Sequence, residues 1–291
     1  MVDIKQDIAK IVYNEVFSKL NNEKISVCLL GANAKDAYNL RNRLRNKLIQ
    51  NKYYTNKIDV YYPEEIFSDL LYNKKIDLLS LENLLAKSID VFIICLEGDG
   101  AIAELGAFTN HDVLSKKLIV VIDEKYKKQR SFIRNGPIRY LELKRKPNPI
   151  LWFNYQERDI DRLTISVRNL VSKISLNSEV ERNLHNPIAA EEFLLLVIYI
   201  LDSVSSSELI NYINEIGNPE TKEIASIVCT GAISSLFRQR EVLRKNNEYK
   251  LTKIGYDRII KLLQSSKRKQ LIGLVDNLRI DYMNKILRMC K

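Results

Sequence analysis

The chain has 291 residues, 46 Lys+Arg against 36 Asp+Glu, a formal charge of +10, and 46% hydrophobic residues. This composition excludes global disorder, and a length of this order suits one large domain or two smaller ones; we expect two. No apolar run reaches the roughly 18 residues of a membrane span. The longest, Phe193 to Leu201, stops at Asp202, and the first twenty residues lack a signal-peptide cleavage site. A soluble cytoplasmic protein without a membrane partner is expected.

The four cysteines, Cys28, Cys95, Cys229 and Cys290, never form a CxxC pair, and there are two histidines, His111 and His185. Neither a metal site nor a disulfide framework is expected from that spacing. The charge is uneven. Residues 1–237 hold 31 basic and 31 acidic side chains, whereas 238–291 hold 15 and 5, so the whole excess lies at the C-terminal end. A localised basic surface is the footprint of a nucleic-acid partner.

In chain order, Ile4, Ile8, Ile11, Val12, Val16 and Leu20 have helical spacing. The run 24–30, ended by Gly31, reads as a strand buried on both faces. A helix over 34–50 follows, then a strand over 57–63 stopped by Pro63, and helices over 64–72 and 79–88. Residues 90–96 form a third strand, 101–115 a helix, 116–123 a fourth strand and 151–153 a weaker fifth. Apolar strands alternating with helices imply a parallel sheet with ligands at its carboxyl edge. The expected fold class is therefore α/β: a Rossmann-like (flavodoxin-like) domain over 1–158, a helical connector over 159–188, and a mainly helical domain over 189–291.

In the last part, helices are expected at 190–203, 208–216, 219–238 and 253–264. Two short strands surround Lys245-Asn246-Asn247, whose Asn pair tolerates the positive φ of a tight hairpin. With Leu251-Thr252-x-x-Gly255 after the hairpin, this order looks like a winged helix-turn-helix. Arg238, Arg240, Arg244, Lys245, Lys250 and Lys253 fall on or beside the hairpin and are the nucleic-acid-binding candidates.

The segment 90–108, DVFIICLEGDGAIAELGAF, carries the chemistry. Glu97, Gly98, Asp99 and Gly100 open a helix whose N-terminus favours anions and are substrate-binding candidates, and a carboxylate at Glu104 can attack an anomeric carbon or stabilise an oxocarbenium ion. Neither a P-loop nor a GxGxxG after the first strand is present. Asp90 reads as a strand cap, His111 as a surface imidazole and Cys95 as packing.

The runs SLENLLAKSIDV (80–91), EGDGAIAELGAF (97–108) and RSFIRNGPIR (130–139) closely resemble the effectors encoded with a group of bacterial retrons. These are similar to nucleoside 2-deoxyribosyltransferases in their N-terminal part and carry a C-terminal winged helix. The resemblance implies Glu104 as nucleophile and Glu82, where deoxyribosyltransferases usually have Asp, as a sugar-positioning or proton-transfer residue. Gly31, Ala32, Asn33, Tyr62, Pro63 and Glu64 would wall the substrate pocket. It further implies a toxic anti-phage N-glycosidase with NAD⁺ as leading substrate and no cofactor. Its partners would be the retron reverse transcriptase and its multicopy single-stranded DNA/RNA, with a homo-oligomer or filament open. The alternatives are deoxyribosyl transfer and a catalytically inactive, nucleotide-sensing DNA-binding regulator.

Overall fold

The computed structural model describes residues 2–20, 25–32, 38–50, 58–64, 86–178, 180, 182–217, 222–264 and 269–289. Two compact units emerge, each with its own core.

The first is an α/β unit. Strands β1 (Ile25–Leu30), β2 (Ile58–Tyr61), β3 (Val91–Cys95), β4 (Leu118–Asp123) and β5 (Ile150–Phe153) pair in parallel in the order β2-β1-β3-β4-β5. β1, β3 and β4 are apolar except at Ser26 and Asp123 and are buried almost throughout, because helices cover both faces. Val27, Leu29, Val91, Ile93, Ile119 and Val121 point to one face. There they meet Leu40, Leu44 and Leu48 of α2 (Leu40–Gln50) and Leu163, Val167 and Val171 of α5 (Asp161–Ser175). The alternate residues face α3 (Asp99–Asn110), where Phe92 and Phe108 pack edge to face at 5.3 Å. A short helix, α4 (Arg139–Lys144), precedes β5.

The expected strands are all present within two residues of their bounds, and the helix expected at 101–115 begins and ends earlier. Of the helices expected at 64–72 and 79–88, all but residues 64 and 86–88 lie outside the described residues. The region 159–188 differs from the expected connector. Its apolar stripe, Leu163, Val167, Val171 and Ile174, makes α5 a layer of the sheet's core.

The second unit is mainly helical. It contains α6 (Pro187–Leu201), β6 (Val204–Ser205), α7 (Ser206–Gly217), α8 (Lys222–Arg238), β7 (Val242–Lys245), β8 (Glu248–Leu251), α9 (Lys253–Leu263) and α10 (Lys269–Met289). Asn186 caps α6, its Oδ1 accepting from the Ile188 and Ala189 amides at 3.0 and 3.4 Å, and Pro187 follows at the first turn. α6 is buried from Phe193 to Leu201, which explains its uninterrupted apolar sequence. Asn246 and Asn247 have φ of 50° and 65°, so the two-residue hairpin turn forms as their chemistry predicts. β6 adds a third strand beside β8; at two residues it leaves no periodicity in the sequence.

The N-terminal helix α1 (Val2–Ile11, continued by a π-helical stretch Val12–Phe17 and a last turn to Leu20) belongs to this second unit, not to the 1–158 domain expected from the sequence. Val12, Val16, Phe17 and Leu20 enter the same core as α6. Phe17 lies 5.8 Å from Phe193, and Lys5 pairs with Glu208 at 2.9 Å. Amphipathic spacing revealed the helix but could not say which core its apolar face would fill.

Candidate active site

Reading strands in sheet order, the sequence order reverses between β1 and β3, and in open α/β sheets the crevice at the carboxyl ends beside such a reversal is where ligands bind. β1 runs into Gly31, with φ of +150° and an imaginary Cβ 3.0 Å from the Cys95 carbonyl oxygen; any side chain would be strained and would crowd β3. Beyond β3, the carboxylate of Glu97 reaches back to the start of α2, accepting from the Leu40 amide at 2.6 Å and the Arg41 amide at 3.2 Å. It is a helix cap supplied from a different strand, favoured by the helix dipole.

Arg41, in the first turn of α2, is 3% exposed. Its guanidinium donates to the Ala32 carbonyl at 3.0 Å and to Glu64 Oε2 at 2.7 Å, and lies 4.1 Å from the centre of the Tyr62 ring. The ends of β1 and β2 are therefore tied through one buried cation, whose partners offset the cost of taking it out of water. The Arg45 guanidinium approaches the same ring at 4.3 Å, and Tyr62 donates to Asn42 Oδ1.

Glu104, on the second turn of α3, is half-buried, and its Oε2 is buried with no hydrogen-bond partner among the described residues. Burial pushes its carboxyl from an ordinary 4.5 up to about 7; the positive charge of Arg41 opposes that rise and the negative charge of Glu64 adds to it. A carboxyl at this acidity can do two things. Ionised and poorly solvated, it can stabilise a nearby positive charge; near neutral pH it can exchange protons.

On the other side of the α3 start, a cleft of about 460 Å³ opens over the ends of β3 and β4. Glu97, Gly98, Asp99, Asp123, Tyr126, Arg134 and Tyr155 are among its walls. Tyr155 anchors its hydroxyl on the Val121 carbonyl at 2.7 Å, and Asp123 pairs with Lys125 at 3.2 Å.

The structure thus gathers Gly31, Ala32, Tyr62, Glu64, Glu97 and Glu104 at one edge of the sheet. Gly98, Asp99 and Gly100 form the exposed start of α3, and Pro63 begins a short helical turn after β2. Tyr62 is buried under guanidinium groups, so its ring is packed there. Asn33 and Glu82 lie outside the described residues. Asp90 sits at the amino end of β3 and accepts from the Ser26 amide and hydroxyl at 2.8 and 2.9 Å, the strand cap that its position suggests. His111 Nδ1 accepts from the Val113 and Leu114 amides and so closes a turn. Cys95 is buried, and burial raises its thiol far above the usual range. Arg41 escaped the sequence reading, which took this stretch as a helix and assigned no role to its cations. The signal was its place beside the core residue Leu40, one step into the helix after the first strand.

In the second unit, Arg238, Arg240, Arg244, Lys245 and Lys253 are exposed, and Lys250 is half-buried and pairs with Asp202 at 3.3 Å. Arg244 bonds Asn247 across the turn and lies 5.9 Å from the Tyr249 ring. Thr252 caps α9, accepting from the Gly255 amide at 3.2 Å, and Gly255 lies so close to the Glu241 backbone that no Cβ fits. The Leu-Thr-x-x-Gly turn therefore has a steric reason. α8 carries few cations: from Ile224 to Arg238 only Arg238 is basic.

Among the described residues no helix is long and apolar enough to cross a membrane. Known proteins agree with one another on what this chain is like. It is 32% identical over 277 residues, 90% of this chain and 85% of the relative, to the Escherichia coli protein named "Retron Ec86 putative ribosyltransferase/DNA-binding protein". It is 36% identical over 122 residues to the correspondingly named Retron Ec73 protein of Escherichia coli, covering 40% of this chain and 38% of that one. The STM3845 retron effector protein family matches residues 37–244, and with that span covered the chain belongs to this family of retron effectors.

Proposed function

We propose that the α/β unit is an N-glycosidase of a retron anti-phage system, cleaving the ribosyl–base bond of a nucleotide, with NAD⁺ as its substrate. The observation that carries this reading is Glu104, a carboxyl raised to about 7 with a buried, unpartnered oxygen at the sheet's switch in strand order. The strand order is that of flavodoxin-like sheets, which bind nucleotides at this edge.

The chemistry follows from the charges. In NAD⁺ the nicotinamide nitrogen is already cationic, so the C1′–N bond breaks with its electron pair passing to nicotinamide and no proton is required. That cation, placed beside Glu104, draws the carboxyl back to its ionised form. The carboxylate then shields the oxocarbenium ion or forms an ester at C1′. Water adds at C1′, its proton leaves through a carboxylate able to accept one near neutral pH, and ADP-ribose results. Arg41 holds the crevice walls and keeps Glu104 from rising further. Were a second base to add in place of water, the same site would perform base exchange, the reading favoured by the names of the relatives.

We read the second unit as a winged helix-turn-helix, a reading supported by its order α6-β6-α7-α8-β7-β8 and its Thr252 cap. We assign its hairpin cations to phosphate contacts with the retron's single-stranded DNA, through which the reverse transcriptase complex restrains the effector. Incubating purified protein with NAD⁺ and measuring free nicotinamide tests the enzyme. Glu104→Gln should lower release by at least about 1,000-fold, and undiminished release from that variant would remove the assignment.

A further inference from the structure

The segment 123–149, between β4 and β5, holds nine Lys or Arg against three acidic residues, a local excess hidden by the balanced charge of the first 237 residues. It includes the run 130–139, which neither the crevice at Glu104 nor the hairpin uses. Lys125, Lys127, Lys128, Arg130 and Arg139 are exposed. Lys127, Lys128 and Arg130 carry no ion pair among the described residues.

Aromatic rings are interleaved with these cations. Phe132 is 86% exposed, its ring 3.7 Å from where a Gly136 Cβ would stand, so Gly136 leaves it a flat backbone to rest on while most of the ring faces solvent. Trp152 of β5 has the Arg134 guanidinium 5.4 Å and the Lys127 ammonium 5.9 Å from its ring centre. Tyr126 and Tyr140 are also exposed. At that exposure Phe132 gains almost nothing from folding, so burial in the core does not account for its place.

We propose that this basic and aromatic surface of the α/β unit binds single-stranded nucleic acid, phosphates on Lys127, Lys128 and Arg130 and a base on Phe132. A duplex hides its base faces within the stack, whereas a single strand offers them to rings, and such stacking tolerates any sequence because every base has a flat face. An acidic peptide would use the cations and leave the ring of Phe132 without a flat partner. A membrane would favour an amphipathic helix lying in the interface, and this surface instead borders a concave cleft. The site is separate from the hairpin cations of the other unit and does not depend on what the crevice hydrolyses.

The test is fluorescence anisotropy of the full chain with a labelled 20-nucleotide oligo-dT and with a duplex of the same length, over a series of salt concentrations. Three lost phosphate contacts in Lys127→Ala/Lys128→Ala/Arg130→Ala should lower the magnitude of the log K against log salt slope by about 2. Phe132→Ala should weaken single-strand binding by about five- to 150-fold. That variant should leave the salt slope, duplex binding and the unfolding transition as they were. Unchanged affinity and slope in the triple variant, with all loss confined to Arg244→Ala/Lys245→Ala, would overturn the proposal. So would displacement of the oligonucleotide by poly-glutamate or anionic vesicles at equal charge, because the rings would then contribute nothing.

Discussion

Glu104→Gln should make the protein more stable at pH 8 and no more stable at pH 4.5. In the folded chain the carboxyl titrates near 7, in the unfolded chain near 4.5, because burial penalises its charge. Between those values the folded state holds a proton that the unfolded state has released, so stability falls as pH rises through this window and levels off above it. The full difference corresponds to about 3 kcal/mol at about 1.4 kcal/mol per tenfold. Solvent still reaches part of the group and screens it, which leaves on the order of 2 kcal/mol. Glutamine keeps the shape and has no charge to desolvate, so it recovers that amount wherever the wild-type carboxyl is ionised. Calorimetric unfolding of both proteins at pH 4.5, 6 and 8 measures the effect. The α/β unit's transition should rise in the variant at pH 8, by a smaller step at pH 6, and coincide with wild type at pH 4.5. A gain independent of pH, or a loss at pH 8, would refute the claim that Glu104 sits in an environment hostile to its charge.

Arg41→Met should move the acid limb of activity against pH upward, since the guanidinium that holds the Glu104 carboxyl down is gone; a kcat/KM profile with an unmoved limb would separate Arg41 from the site. Gly255→Ala forces a Cβ against the Glu241 backbone and should destabilise the helical unit by about 3 kcal/mol. The transition of the α/β unit should stay in place, and a variant melting like wild type would contradict the close approach. Replacing both Arg244 and Lys245 by Ala should reduce the salt slope for nucleic-acid binding by about 1.4 to 1.8 while nicotinamide release persists. An unaltered slope would leave the hairpin tip merely solvated.

Much of this architecture was legible because the periodicities are clean. Strands buried on both faces announce themselves as β1, β3 and β4 do, and the Asn246-Asn247 pair fixed a turn that only positive φ could make. Glu104 was legible through its motif, since a Gly-containing loop between a buried strand and a helix places the next carboxylate above the sheet edge. What escaped depends on contacts distant in sequence. Glu97 was expected to face substrate, yet both its oxygens accept from amides of α2, a pairing across more than fifty residues that no local spacing encodes. Arg41 was hidden for the same reason: a cation on a helix is read as solvated until the ends of β1 and β2 are seen to close over it. Charge counting over long windows also masked the segment 123–149, because acidic residues elsewhere cancelled its excess.

The placement of α1 has a consequence for how the protein is made. The first twenty residues leave the ribosome early, but the core that takes Val12, Val16 and Phe17 is completed by Phe193 and its neighbours. At about 5–20 residues per second that partner arrives roughly 10 to 35 seconds later. During this interval the whole parallel sheet has been synthesised and can close on its own helices, while the apolar stripe of α1 waits uncovered. Birth order and assembly order are therefore reversed: a segment translated before the sheet is among the last to find its place, and a nascent chain stalled after α5 would carry a finished sheet together with an orphaned sticky helix.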